Sequence, residues 1–463
     1  MRLSAATIDR LPTNVARPDY DRMGQRIGIV HLGIGAFMRA HQAMFTDRAM
    51  AAGDRDWSIV GASLRSPAVR DMLVPQDGLF TVTENDAGGT RTRLIGSVRD
   101  VVAASGANDD LHRALVSPDT AIVTMTVTEK GYHRRADGSL DLAAVERAGG
   151  TLYHHLARAF AGRRDAGIGG MTLLSCDNLA DNGGMLASAL GAWLDHVDPS
   201  LGSWFAGECT CPSTMVDRIV PAVTPADLDA VEATLGLRDE AAILTEPFAQ
   251  WVIEDDFAGR RPRWDAVGAQ IVADVGPYET AKLWMLNGAH SALAYLGLQA
   301  GLHYVHEAIG DPAIGPSVER LMRDEAAASL DPAPGQDLTA YADALLARFA
   351  NPTLRHALRQ IASDGSQKIP QRWLASLEAN RERGRTCPET LSALAAWMLH
   401  VRGDGSPVDD PRAAELAAAW DSAGRDGIVD AVVGERGLLA GIWRPRVQDR
   451  AILAETLAAF DRR

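Results

Sequence analysis

Arg26-Ile-Gly-Ile-Val-His-Leu-Gly33-Ile-Gly35-Ala-Phe-Met-Arg-Ala-His41 is the stretch whose reading decides the fold. Its first half is an apolar run with the composition of a strand buried on both faces. Its second half turns helical after two glycines. A strand, a glycine-rich turn and a helix in that order let the backbone approach a pyrophosphate while helix N–H groups point at it. Gly33, Gly35, Ala36 and Phe37 are therefore candidate cofactor-binding positions. The G-x-G-x-x-G pattern is incomplete, because Met38 stands where the third glycine would be, and a plain tight turn explains a lone GxG about as often.

Working outward, a helical segment leads to Trp57-Ser-Ile-Val-Gly-Ala-Ser-Leu64, a second β-rich run that completes a βαβ unit of a parallel sheet. Dinucleotide folds normally carry an acid after this strand, for the ribose 2′-hydroxyl. Here the chain reads Arg65-Ser66-Pro67, and an arginine can equally serve a loop or accept a 2′-phosphate. NAD is the expected cofactor, with NADP open. Residues 79 to 100 alternate on both sides of Asn85-Asp-Ala-Gly-Gly89, a hairpin signature. A short helix, 109 to 116, precedes a third core strand, Thr120 to Glu129. Strand ends in such sheets line the ligand crevice, which nominates Thr128, Glu129 and, at even odds with a solvated loop, Lys130.

A helix over 141–162 leads to another buried strand, 170–178, which ends with Asn178 placed toward a substrate. A further helix follows to Leu194. Cys211 to Pro221 reads as a compact loop in which Asp217 and Arg218 form a buried ion pair more readily than a catalytic one. Leu244 to Glu254 is strand-like. From residue 277 every pattern is helical, with breaks at Asp311-Pro312, Asp331 to Gly335, Gly403 to Pro407 and near Gly424. The fold class is α/β, with a dinucleotide-binding domain over 1–275 and a mainly α-helical substrate-binding and catalytic domain over 276–463.

The second domain opens on Gly276-Pro-Tyr-Glu-Thr-Ala-Lys-Leu-Trp-Met-Leu-Asn-Gly-Ala-His-Ser-Ala-Leu-Ala-Tyr-Leu-Gly297, which reads as one helix started by Pro277 and stopped by Gly297. At about 100° per residue, Glu279, Lys282, Asn287 and His290 fall within an arc of roughly 140° that leucines share. Polar groups on an apolar face are costly unless paired or facing a cavity. The stretch is therefore read as the chemical centre, with a capped surface helix as the alternative. Further on, Asp364, Gln367, Lys368 and Arg372 cluster around a turn, as a surface cap or as the grip on a polar substrate.

The chain has 463 residues, a hydrophobic fraction of 46% and a formal charge of -14. That acidity disfavours nucleic acid and anionic membranes as partners, since both require a basic patch. No run approaches the ~18 apolar residues of a membrane span, and the N-terminus lacks an apolar h-region, so the chain reads as cytoplasmic. Four cysteines make no disulfide framework, and Cys209-Thr-Cys211 has no second pair at zinc spacing. They read as reduced, mostly buried thiols, and no metal site is expected.

These groups suit hydride transfer. Lys282 would take the alcohol proton once burial or a cationic neighbour lowers its pKa. Asn178 and Asn287 would donate to the developing oxyanion, and His290 would hold a substrate hydroxyl. Glu279, one turn before Lys282, would pass the proton to water. Tyr278-x-x-x-Lys282 also matches short-chain dehydrogenases, but their T-G-x-x-x-G-x-G turn is absent and Tyr278 lies too far from Gly33.

Together, His31-Leu-Gly-Ile-Gly-Ala-Phe-Met-Arg-Ala-His-Gln42, Thr126-Val-Thr-Glu-Lys-Gly-Tyr132, Ser175-Cys-Asp-Asn178, Met215-Val-Asp-Arg218, Glu246-Pro-Phe248, Lys282-Leu-Trp-Met-Leu-Asn-Gly-Ala-His-Ser291 and Asp364-Gly-Ser-Gln-Lys368 resemble the long-chain polyol dehydrogenase family. That family includes mannitol 2-dehydrogenase and fructuronate reductase. The resemblance implies a Rossmann-type N-terminal domain, a mostly helical C-terminal domain and a metal-free, nicotinamide-dependent active site between them. It also implies Lys282 as acid/base, Asn178 and Asn287 on the reacting oxygen, His290 on substrate, Glu279 in proton exchange and Lys368 near the substrate's distal end. Two departures matter. The acids often found after the second strand in mannitol dehydrogenases are missing around Arg65. Thr-Glu-Lys-Gly-Tyr looks more like the fructuronate reductase branch, and a lysine at 130 suits a carboxylate.

The expected substrate is therefore a sugar acid, D-mannonate or D-fructuronate, with mannitol and fructose or arabinitol and xylulose second. A dinucleotide-binding sensor without turnover is the remaining class. Monomer and homodimer both stay open.

Overall fold

The computed structural model describes residues 1–86, 88–104, 109–403 and 407–460. The chain splits into two compact units, Met1–Val275 and Gly276–Arg463. The first is built on a five-stranded parallel sheet of β1 (Ile27–Leu32), β2 (Ser58–Ser63), β5 (Val98–Ala103), β6 (Ile122–Met125) and β7 (Thr172–Ser175) in the order β5-β2-β1-β6-β7. Strand order reverses between β1 and β6, the switch point outside which open α/β sheets bind ligands. Both faces are covered. Ile29 packs with Met44 and Phe45 on one side, whereas Val30 and Leu32 pack with Leu156 and Phe160 on the other. Double burial explains why β1 reads as a continuous apolar run.

Two three-stranded sheets complete the unit. β3 (Phe80–Asp86) pairs antiparallel with β4 (Gly89–Ile95) and parallel with β9 (Ile243–Thr245). β10 (Gln250–Glu254) pairs antiparallel with β8 (Thr214–Asp217) and parallel with β11 (Gln270–Val272).

Several local expectations change. The hairpin is β3–β4 alone, because after Gly96-Ser97 the chain leaves it and β5 joins the large sheet. Ala87 in its turn, like Asp404 to Ser406 in the expected break at 403–407, lies outside the described residues. The helix expected over 141–162 is two, Leu142–Ala148 and Leu152–Asp165, parted by Gly149 and Gly150 at φ 57° and 60°. Helix Pro199–Glu208, capped by Asp198, was not anticipated. The 244–254 segment is two strands in different sheets. The expected loop at 211–221 contains β8, a strand that only its partner β10 makes recognisable. Arg218 bonds Glu84 (2.6 Å) and the Glu246 carbonyl (2.7 Å).

In the second unit, every residue from Gly288 to Gly297 is buried, as befits a central helix that is apolar all round. It runs Gly288–Gln299 and packs against helix Pro388–His400. Gly297 is thus not its stop. A Cβ there would lie 2.6 Å from Leu358 Cδ1, so the glycine serves a close helix approach. Between the first turn, Gly276–Ala281, and this helix lies a π-helical segment, Lys282–Asn287. The 100° spacing assumed for the polar face fails there, because i→i+5 bonding widens each turn.

No helix among the described residues is long and apolar enough to cross a membrane. The four cysteines are free, with Cys176 and Cys387 buried and Cys209 and Cys211 half-buried.

Candidate active site

The carboxyl ends of β1, β2 and β6 open on a cleft of about 450 Å³ lined by Gly33, Gly35, Arg65, Ser66, Thr128 and the Gly149-Gly150 break. Gly33 has φ 96°, and a Cβ on it would lie 2.2 Å from Thr126 O. Only glycine lets the two strand ends come this close. The Gly33 and Ile34 N–H groups donate to Ala62 O at 2.9 and 3.2 Å, and Thr126 Oγ1 donates to Gly33 O at 2.9 Å. At Gly35 the nearest protein atom to a Cβ would be 3.7 Å away, so the space beside it is left open. This bare backbone and open volume fit a dinucleotide's pyrophosphate. Met38 is fully buried in the core, filling the place of the absent third glycine.

Beneath the turn, His31 is fully buried and its ring nitrogens bond Thr124 Oγ1 (2.7 Å) and Thr126 Oγ1 (3.0 Å). Burial pushes its pKa down to about 3, so it is a neutral strap between β1 and β6. Arg65, exposed at the cleft, has no ion-pair partner among the described residues.

After β6 the chain makes a tight turn into a short 3₁₀ helix, Glu129–Tyr132. Asp177, just past β7, accepts hydrogen bonds from the Val127 N–H (2.9 Å), the Thr128 N–H (3.0 Å) and the Tyr132 hydroxyl (2.8 Å). Burial nevertheless raises its pKa. Thr128, Glu129, Lys130 and Asn178 are exposed around this knot. Asp217 is buried at the end of β8.

In the second unit, Glu279, Lys282 and Asn287 are half-buried along the opening helix and its π segment, and His290 is 9% exposed. The His290 ring lies 4.7 Å from Phe349 and 5.4 Å from His356. Burial, with His356, Arg348 and Arg372 nearby, holds its pKa well below the ordinary value. Neutral His290 therefore offers one donor and one acceptor. The π segment is met by another, Pro370–Leu374, begun by a proline that removes a helix N–H. From it, Arg372 Nη1 donates to Ser291 Oγ (2.8 Å) and Asn287 O (3.3 Å), and Trp373 Nε1 donates to Gly288 O (3.1 Å). Burial lowers the Arg372 pKa to about 10. Lys368 Nζ donates to Ser363 O (2.7 Å) and lies 3.7 Å from Asp364, with its pKa lowered by burial and by Arg372.

The structure thus gathers Gly33, Gly35, Arg65 and Thr128 on one cleft, and Arg372 with Asn287 on one hydrogen-bonded joint. Ala36 and Phe37 are not among the cleft-lining residues, and Phe37 stacks on His41 (5.1 Å). His31, Tyr132 and the Gly149-Gly150 break were not foreseen. A histidine inside an apolar strand and a double glycine inside a helical pattern were the available signals. Among the described residues, no group of three or more His, Cys, Asp or Glu is placed to hold a metal ion.

The parallel sheet with its glycine-rich turn is a Rossmann-type unit, followed by a helical unit, and two family matches identify this architecture as that of oxidoreductases acting on secondary alcohols. The Rossmann domain of mannitol dehydrogenases matches residues 27–266, and the mannitol dehydrogenase C-terminal domain matches residues 274–455. The chain belongs to the mannitol dehydrogenase family. It is 40% identical over 447 residues to D-mannonate oxidoreductase of Escherichia coli K12, covering 92% of this chain and 91% of that protein. Among solved structures, Pseudomonas fluorescens mannitol 2-dehydrogenase, in a ternary complex with NAD and D-mannitol, superposes with TM-score 0.79 at 33% identity, covering 99% and 96% of the two chains. A substrate-free D-sorbitol dehydrogenase gives TM-score 0.88 at 29% identity, covering 99% and 97%.

Proposed function

We propose that this protein interconverts D-mannonate and D-fructuronate with NAD, as a cytoplasmic monomer or homodimer. The observation that carries this reading is the 40% identity to D-mannonate oxidoreductase along nearly the whole of both chains. The first unit binds the dinucleotide through the cleft residues Gly33, Gly35 and Thr128, with Ala36, Phe37 and Glu129 next to them in the chain. Bound there, the nicotinamide supplies the acceptor or donor of hydride. Lys282 takes the hydroxyl proton, and Glu279 relays it to water. Asn178 and Asn287 donate to the oxygen as its charge grows. His290 binds a neighbouring hydroxyl. Lys130, Lys368 and Arg372 set positive charge toward the carboxylate, and Asp217 accepts from a hydroxyl.

Two observations support second readings. The likeness to a mannitol complex favours mannitol and fructose as substrates. Exposed Arg65, where an acid would bind a ribose 2′-hydroxyl, favours NADP.

The test is a panel of D-mannonate, D-mannitol and D-arabinitol, each with NAD⁺ and NADP⁺, followed by absorbance of the reduced cofactor. Mannonate should give the highest kcat/KM. Mannitol ahead of mannonate overturns the substrate assignment, and cofactor binding without turnover on any of them points to a sensor. Lys282→Ala should abolish turnover while sparing cofactor affinity. Lys130→Gly should harm mannonate more than mannitol.

A further inference from the structure

Thr128 holds φ 66° and ψ 159°, a region that glycine populates and L side chains rarely enter. A residue kept there needs surroundings that over-determine it. Those surroundings are the hydrogen bonds of one carboxylate. Asp177 Oδ1 accepts from the Thr128 N–H and Oδ2 from the Val127 N–H, so the two amides of the strained turn are clamped bidentately from the neighbouring strand end. The Tyr132 hydroxyl, shared with Ser175 Oγ (2.7 Å), closes the same carboxylate from the far side of the turn. Asp177 is itself anchored, since Asn182 Nδ2 donates to its carbonyl at 3.1 Å. Thr126, Val127, Thr128 and Gly131 of this turn line the cleft that holds Gly33 and Gly35.

We propose that Asp177 is a positioning residue for the cofactor: its carboxylate holds Thr128 in a glycine-like backbone conformation and so shapes one wall of the dinucleotide cleft. The inference rests on the reading of that cleft as the dinucleotide site. An asparagine cannot replace the carboxylate, because one of its two ends would set N–H groups against an N–H donor.

The full-length protein, Asp177→Asn, Thr128→Gly and the double variant are titrated with NADH and NADPH by fluorescence, with melting temperatures alongside. Asp177→Asn should weaken binding roughly 10- to 100-fold. Thr128→Gly alone is the reference for the double variant, because glycine adopts that conformation without strain and needs no clamp. The double variant should return to within about threefold of Thr128→Gly, a rescue that a general loss of stability would not produce. Unchanged affinity in Asp177→Asn, or a double variant no better than it, overturns the proposal. Should Asp177→Asn fail to fold, Tyr132→Phe removes one donor from the same carboxylate. Its loss of affinity must then be reversed by Thr128→Gly, and a loss that glycine does not reverse overturns the clamp. Absence of dinucleotide binding in the parent protein overturns the cleft reading instead.

Discussion

Gly33→Ala should cripple cofactor binding, and its cost follows from two independent terms. A side chain at φ 96° costs about 1–2 kcal/mol for an L residue. The new Cβ would also stand 2.2 Å from Thr126 O and 2.9 Å from Thr126 C, whereas real contacts stay beyond about 3.0 Å. One strand end must therefore retreat by most of an ångström. Retreat is resisted, because Thr126 N–H donates to Leu32 O at 2.9 Å and Thr126 Oγ1 to Gly33 O at 2.9 Å. Losing one of these bonds adds about 1 kcal/mol. The sum is about 3 kcal/mol, or roughly a 100-fold weaker complex if it falls wholly on binding. NADH fluorescence titration and thermal melts partition it between affinity and stability. Gly35→Ala is the internal comparison. No protein atom lies within 3.7 Å of its Cβ, so its melting temperature should hold while affinity drops. Cofactor affinity within threefold of the parent and an unchanged melting temperature in Gly33→Ala would refute the reasoning.

Other outcomes follow from the second unit. Arg372→Met leaves the Asn287 carbonyl and Ser291 hydroxyl without their donor, which should cost about 1–3 kcal/mol and lower kcat by releasing the π segment. Unchanged melting and kcat would show the joint to be idle. Glu325 is buried, accepts from the Glu389 and Thr390 N–H groups (2.8 Å each), and burial pushes its pKa up to about 7 from 4.5. Because the folded chain holds this proton more tightly than the unfolded one, its stabilisation is full below 4.5 and is lost as pH rises through 7. Glu325→Gln, neutral throughout, carries a constant loss from setting its amide against the Glu389 or Thr390 N–H, but relative to the parent it should gain about 2.5 kcal/mol as pH rises from 5 to 8. Denaturant melts at the two pH values that give parallel stabilities would exclude it.

The parallel sheet was legible because its evidence is local: apolar β-rich runs and glycines that break them at the strand ends. The helical half was legible for the same reason, in its periodic leucines and alanines. What escaped depends on distant partners. Nothing within Lys282–Asn287 dictates π geometry, and the groups that bond the Asn287 and Gly288 carbonyls come from residues 85 positions away. β8 is four residues long and exists through β10. Asp177 was visible as a strand-end acid, but its grip on Thr128 was not, since a backbone dihedral leaves no trace in composition. The polar residues of the opening helix stand out in the sequence as a costly set on an apolar face, and Glu279, Lys282 and Asn287 are half-buried. Their angular arrangement could not be computed from a regular helix that the chain does not form.

The helix Gly288–Gln299, buried on every side, also constrains how the protein is made. Its packing partner, Pro388–His400, emerges from the ribosome about 90 residues later, roughly 5–20 s at ordinary synthesis rates. Through that interval an apolar cylinder has no finished cavity to enter. A nascent chain stopped before Pro388 should accordingly bind a hydrophobic dye and a holdase chaperone, and release both once synthesis passes His400. His290, within this helix, is thus among the residues that wait longest for shelter.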